Sequence, residues 1–329
     1  MQFTIQSRTA TRELIERRDG IDAALECVRE LIAGGRLDVK IVNEYGERVR
    51  PAVLSRSSAA EVDTARQARV ERRLGSSPLL ASPLRRLGYN SQALWAKDNI
   101  KASVLAFVDL CHAEGRCEGG RVRVLEIGGG RWPFLTLPET ESGRIAYTVN
   151  DIDEGELAAA PTEFEKAQFD IAGGVDPSFG GRYDFIFSRM VMEHVPDAAR
   201  AWSNMHELLA PGGVALAFHP TLYAPAFVIN WLAPEAVTRP ILGFFFPERR
   251  QAATRKFPAR YDLCTAMPTA VEPVLRRVGF RQILSAPFWG DLYFEQLPVL
   301  REANDGLSAL AESRDWRWLA SHAYTIGLK

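Results

Sequence analysis

The stretch VLEIGGGRWPF, residues 124–134, begins with a short apolar run that closes on an acid, Glu126. Three glycines follow, then an arginine, a tryptophan and a proline. A strand running into glycines is how α/β proteins approach a nucleotide, because a bare backbone brings its N–H groups close to the ligand. A dinucleotide fingerprint requires G-x-G-x-x-G, and here Gly128 and Gly130 fit while the third glycine position holds Pro133. A Walker loop requires G-K-[ST], which is absent from the turn. Both phosphate readings fail on residues. What remains is a strand-end acid, a glycine turn, and a second acid, Asp151, at the end of the next strand. That acid is placed to accept both hydroxyls of a ribose.

Outward from this turn the rhythm is strand, turn, helix. RVRVLEI (121–127), IAYTVND (145–151), YDFIFSR (183–189) and GVALAFH (213–219) are short, apolar and partly β-branched, as strands covered on both faces should be. DAARAWSNMHELLA (197–210) reads as a helix stopped by Pro211-Gly212-Gly213, and the chain closes with a long helix and the strand SHAYTIGLK. The alternation predicts an α/β fold, a doubly wound and mostly parallel sheet, with its ligand at the carboxyl ends of the strands.

Residues 1–95 read differently. TRELIERRDGIDAALECVRELIAGG places Leu14, Ile21, Ala24, Leu25, Val28, Leu31 and Ile32 at helical spacing before a Gly34-Gly35 stop. LDVKIVNEYGERVRPAVL reads as a hairpin, SAAEVDTARQARVERRL as a polar helix, and SSPLLASPLRRLGYNS as a Pro/Ser-rich joint before a helix over about 91–114. The expectation is a mainly helical accessory region over 1–95 and a catalytic domain over 96–329.

Composition narrows the function. The formal net charge of −1 lacks the basic excess of a nucleic-acid binder. Cys27, Cys111, Cys117 and Cys264 form no C-x-x-C pair, so neither a disulfide framework nor a metal site is expected. The first twenty residues carry acids and no apolar run, which argues against a secretory signal. APAFVINWLAPEAVTRPILGFFFP, the most apolar stretch, is broken by prolines and charges and does not read as a membrane span. A soluble, cytoplasmic protein is expected, with no nucleic-acid or membrane partner.

The ordered motifs resemble those of class I S-adenosylmethionine-dependent methyltransferases, in the small-molecule, type 11-like branch. VLEIGGG is similar to the first motif, VNDID to the second, QFDI to the third, YDFIFSRMVMEHVPD to the fourth strand and its turn, and LLAPGGVALAF to the helix, turn and fifth strand that follow. They cover about residues 121–220. The resemblance implies a seven-stranded sheet and S-adenosyl-L-methionine as cofactor. It implies cofactor contacts from Glu126, Gly128, Gly129, Gly130, Asp151, Ile152, Asp170, Ile171, Arg189 and Met190, and no metal. Trp132 departs from the family, which has a glycine there; its indole either redirects the turn or walls the methionine end of the cofactor.

Each candidate also has a structural reading. Asp151 rather than Asp153 is the ribose acid, since Asp153 suits a helix N-cap. Asp170 either meets adenine or makes an Asx-turn before Gly173-Gly174. His194, His219 and Tyr223 are the candidate catalytic residues; histidine is the residue type most used as a base near neutral pH, and each could equally shape the pocket. Residues 220–265, rich in aromatics and prolines, read as an acceptor-binding cap or as a second small core. Arg249, Arg250, Arg255, Lys256 and Arg260 there suit an anionic acceptor or a solvated basic face. The function expected is O- or N-methylation of a small molecule, with a homodimer as a candidate assembly. The alternatives are a non-catalytic cofactor-binding partner subunit and a methyltransferase acting on a macromolecule.

Overall fold

A computed structural model describes residues 2–8, 13–33, 37–43, 48–49, 64–75, 77–140, 143–224, 228, 258–291, 294 and 298–329. The chain divides into two compact units, one of residues 1–69 with 94–99, the other of residues 70–93 with 100–329.

The first unit holds β1 (Gln2–Arg8), β2 (Glu13–Asp19), α1 (Ile21–Ala33), β3 (Leu37–Asn43) and β4 (Arg48–Val49). The strands form an antiparallel sheet in the order β2-β1-β3-β4. Phe3 and Ile5, two apart on β1, point to one face with Ile41 of β3 and meet Ala24, Leu25, Cys27 and Val28 of α1. This sheet corrects the sequence reading of residues 11–35 as one helix. The stretch read as one helix from Thr11 is cut at Gly20, whose φ of +85° is left-handed. Residues 13–19 become a strand because β1 offers them an antiparallel partner from Gln2↔Asp19 to Arg8↔Glu13, a long-range pairing that local periodicity cannot reveal. Pairs Ile41↔Val49 and Val42↔Arg48 form the described part of the hairpin; its arm beyond Val49 lies outside the described residues.

Chain order then gives α2 (Thr64–Leu74), α3 (Pro78–Arg86), α4 (Ala93–Ala113), β5 (Val122–Ile127), α5 (Leu137–Thr140), β6 (Ile145–Asp151), α6 (Glu154–Ala158) and β7 (Glu165–Gln168). It continues with β8 (Tyr183–Arg189), α7 (Ala198–Leu208), β9 (Leu209–Pro220), α8 (Pro268–Val278), β10 (Gln282–Phe288), α9 (Pro298–Ser313) and β11 (His322–Leu328). The second unit carries a seven-stranded sheet in the order β10-β11-β9-β8-β5-β6-β7. Strands β7, β6, β5, β8 and β9 run parallel, and β11 and β10 close one end antiparallel. From β5 the order runs outward in both directions, so the crevice lies past the carboxyl ends of β5 and β8.

Two strands and a helix escape sequence reading. Strand β7 is EKAQ, in which only Ala167 is buried, so no apolar run marks it. Strand β10 contains Pro287 and sits at the sheet edge, where a missing N–H breaks no ladder. The Pro/Ser-rich joint is the helix α3: Pro78 starts it, where a missing N–H costs nothing, and Leu80, Ala81 and Leu84 are buried. Tyr89, just beyond α3, gives its hydroxyl to the Pro287 carbonyl at 2.6 Å.

The central pair β5–β8 is locked by charge. Asp184, buried on β8, accepts the Arg123 backbone N–H at 2.8 Å and two guanidinium N–H groups at 3.0 and 2.7 Å. Replacing Asp184 by Ala should cost about 2–3 kcal/mol, below the usual range for breaking a fully buried pair because the Arg123 side chain is partly exposed and can turn to water. Urea unfolding at unchanged m-value checks this; a loss under about 0.5 kcal/mol would mean the pair is only a surface contact.

Candidate functional site

The turn after β5 is built on glycine geometry and one buried acid. Gly128 and Gly130 have φ of +70° and +46°. A Cβ on Gly128 would stand 2.6 Å from a Val191 methyl, and one on Gly130 would stand 2.9 Å from Asp151 Oδ2. Glycine at 130 therefore keeps the face of the Asp151 carboxylate uncovered. Gly129 gives its N–H to the Asn150 carbonyl at 2.9 Å, which ties the turn to β6.

Beneath the turn Glu126 is 2% exposed. Its Oε2 accepts the Phe134 N–H at 2.8 Å and the Tyr147 hydroxyl, so one carboxyl holds the far end of the turn and a neighbouring strand together. Burial pushes its pKa up to about 7 against the pull of these bonds and of the nearby Arg189 and Lys101 charges. Arg189, exposed at the end of β8, lays its guanidinium 4.5 Å from the Phe134 ring centroid, and Lys101 Nζ is 5.5 Å from the same ring. Met190, next in the chain, has φ of +56° and gives its N–H to the Phe218 carbonyl at 2.8 Å.

At the end of β6 the two acids separate by geometry. Asp153 Oδ1 accepts the N–H groups of Gly155 and Glu156 at 2.8 and 3.1 Å, so it caps α6. Asp151 Oδ1 accepts the Asp153 N–H at 2.9 Å, and its half-buried carboxyl faces Gly130. Desolvation is the largest cause raising its pKa, joined by the Glu156 charge. Ile152 beside it is 52% exposed. At the end of β7, exposed Asp170 makes the Asx-turn, accepting the Ala172 N–H at 2.9 Å. Ile171 is buried in the core with Ile127, Met192 and Met205, so the apolar side chain open at this edge is Ile152.

Past β8 the chain makes a tight turn, Met192–His194, held by a returning segment. The Glu193 carbonyl accepts the N–H groups of Arg260 and Tyr261 at 2.6 and 3.0 Å. Asp262 Oδ2 accepts the Ala198 N–H at 2.7 Å at the start of α7. The Glu193 side chain is buried; its Oε2 has no hydrogen-bond partner among the described residues, and burial pushes its pKa to about 7. His194 is partly exposed, with Nδ1 3.3 Å from the Pro258 carbonyl, which can only accept, and Nε2 3.9 Å from Glu193 Oε1. His219 lies inside the sheet: its ring nitrogens sit 3.0 Å from the Pro220 carbonyl and 3.0 Å from the Thr325 hydroxyl, and burial lowers its pKa to about 4. Tyr223 is 52% exposed beyond β9. Of the expected cap, residues 225–227 and 229–257, with Trp231, Arg249, Arg250, Arg255 and Lys256, lie outside the described residues.

Residues 124–130 and 151–153 announced by motif the glycine turn and the acids at the end of β6. Tyr147, Phe134, Lys101 and Glu193 carried no such signal, since each acts through a fold neighbour remote in sequence or through burial. Among the described residues no three His, Cys, Asp or Glu side chains are grouped to hold a metal ion, and no helix is long and apolar enough to cross a membrane.

Residues 68–262, more than half of the chain, match the family described as "Methyltransferase domain". A curated protein, the lovastatin diketide synthase mokB of Monascus pilosus, is 31% identical over 136 residues, 36% of this chain and 5% of that protein. The chain thus spans a small fraction of that relative's length. Among solved structures, a SAM-dependent methyltransferase from Archaeoglobus fulgidus is 18% identical, covering 71% of this chain and 97% of its own, at a TM-score of 0.39. The CurJ carbon methyltransferase is 18% identical, covering 98% and 86%, at a TM-score of 0.40.

The buried acids give a pH signature. A carboxyl raised from 4.5 to about 7 on folding holds a proton the unfolded chain has released, so its contribution is full below pH 4.5 and is lost as pH rises through 7. His219, lowered to about 4, acts oppositely: stability falls as pH drops from 6.5 through 4. The variant Glu193→Gln should melt higher than the parent at pH 8 by a few degrees, and the gap should shrink toward pH 5. A gap independent of pH would show that Glu193 does not titrate in this window.

Proposed function

For a chain that belongs to the S-adenosylmethionine-dependent methyltransferase family, we propose that the carboxyl edge of β5, β6 and β8 binds the donor and methylates a small molecule on oxygen or nitrogen. The residues fit the donor's parts. Asp151 offers its carboxylate to the ribose hydroxyls across the space that Gly130 leaves clear. Ile152 and Asp170 flank the place for adenine, one apolar and one an acceptor. The turn at Gly128–Gly130 carries the backbone under the ligand, with Glu126 securing it from below. Arg189 supplies a cation for a carboxylate. The bound donor supplies an electrophilic methyl carbon on a positively charged sulfur.

What the protein must add is alignment and a dry site. The turn at Met192–His194, clamped by residues 258–264, stands beside this edge, and we assign it to the acceptor. His194, whose Nδ1 lies 3.3 Å from the Pro258 carbonyl, is the first candidate to take the acceptor's proton. Tyr223 is the second candidate there. His219, with both nitrogens engaged inside the sheet, serves as wall and not as base. Trp132 is 78% exposed, so the indole does not plug the turn; this favours turnover over a non-catalytic partner subunit. The net charge of −1 disfavours a nucleic-acid acceptor.

The carrying observation is that Asp153 is spent on a helix cap while Asp151 stays open at the strand end. Calorimetry should therefore detect binding of S-adenosylhomocysteine but not of NAD. Asp151→Ala should weaken that binding by about 1.5–3 kcal/mol, the range for hydrogen bonds to a charged group, whereas Asp153→Ala should mainly lower stability by about 1 kcal/mol. Reversed effects, or binding of NAD alone, would overturn the reading. Mass spectrometry of a metabolite extract and of diketide-type acyl compounds, incubated with enzyme and methyl-labelled donor, tests the acceptor class.

A further inference from the structure

Trp132 presents a large apolar surface to solvent from a backbone that is bonded at and on both sides of it. Its N–H bonds the Gly129 carbonyl at 3.2 Å. Pro133 follows it and confines it to extended conformations. Phe134 is anchored on buried Glu126, and Arg131 on the other side is bound to Glu156 by two hydrogen bonds of 2.6 and 2.8 Å. An indole 78% exposed on so constrained a support contributes nothing to the core, and it projects from the same turn whose Gly130 faces Asp151. The cations at this edge, Arg189 and Lys101, both sit over Phe134, so among the described residues none covers the Trp132 ring.

We propose that Trp132 is a donor-binding residue that reads the charge on sulfur, its indole face favouring the sulfonium of S-adenosylmethionine over the neutral thioether of S-adenosylhomocysteine. This rests on the reading of the turn as the donor site. The sulfur is one carbon from the ribose, so a ribose held by Asp151 brings the charged centre to the turn that bears Trp132. A tryptophan face attracts a cation and is indifferent to a thioether of the same shape. The contact therefore favours fresh donor over spent product.

The test is calorimetry on the wild type, Trp132→Ala and Trp132→Phe with three ligands: S-adenosylmethionine, S-adenosylhomocysteine and the ammonium analogue sinefungin. The alanine variant should lose about tenfold in affinity for the two cationic ligands, within the span of cation–π contacts, and at most about twofold for the thioether. The phenylalanine variant should retain most of the cation preference. Because the indole is exposed, both variants should melt close to the parent. An equal loss for all three ligands, or no loss for any, overturns the proposal while leaving the donor site intact. Asp151→Ala, run in parallel, should weaken all three alike. If the wild type binds none of them, the donor site itself is misassigned and the inference falls with it.

Discussion

The glycine turn depends on a single buried carboxyl group. Glu126 ends β5 beneath the turn, and its Oε2 gathers the Phe134 N–H and the Tyr147 hydroxyl into one polar knot inside an apolar sheet. An unpaired carboxyl at that depth would cost several kcal/mol, so the knot makes the turn's conformation and the satisfaction of the acid a single requirement. It also accounts for Gly129, where a Cβ would lie 2.8 Å from Glu126 Oε2. The turn cannot spread without exposing the acid, and the acid cannot be satisfied unless the turn closes over it.

The residues proposed to meet the ligand are placed by strand ends. Parallel β5, β6, β7 and β8 end on one edge, and each delivers its next residues there: the glycines, Asp151, Asp170, and Arg189 with the Glu193 turn. The Asp184–Arg123 pair locks β5 to β8, where the strand order reverses and the crevice opens. A rigid floor with loops on one side is what alignment chemistry requires, because a methyl transfer needs reactants held in line more than it needs a strong base.

The second side of the crevice is secured differently. Residues 258–264 come back from a distant part of the chain to bond the Glu193 carbonyl, the α7 N-terminus and the Leu222 N–H. These bonds fix the Met192–His194 turn by long-range contact and leave Glu193 Oε2 buried without a partner among the described residues. A buried carboxyl with one oxygen unmatched among the described residues, beside a partly exposed histidine, is a costly arrangement, and such exceptions gather at functional sites.

Sequence alone determined the parallel α/β core, the glycine turn and Asp153 as a helix cap, and the ordered motifs pointed by resemblance to the donor class. These depend on local regularities: apolar runs, glycines at fixed offsets, and a cap residue one turn before its N–H partners. Only the tertiary structure decided the antiparallel N-terminal sheet, β7, β10 and α3, because their stability comes from partners far along the chain and not from their own patterns. It likewise decided that Ile171 belongs to the core, that His219 is sealed inside the sheet, and that Glu126 and Glu193 carry protons near neutrality. Burial sets those properties, and burial is a property of the packed molecule that no local stretch of residues contains.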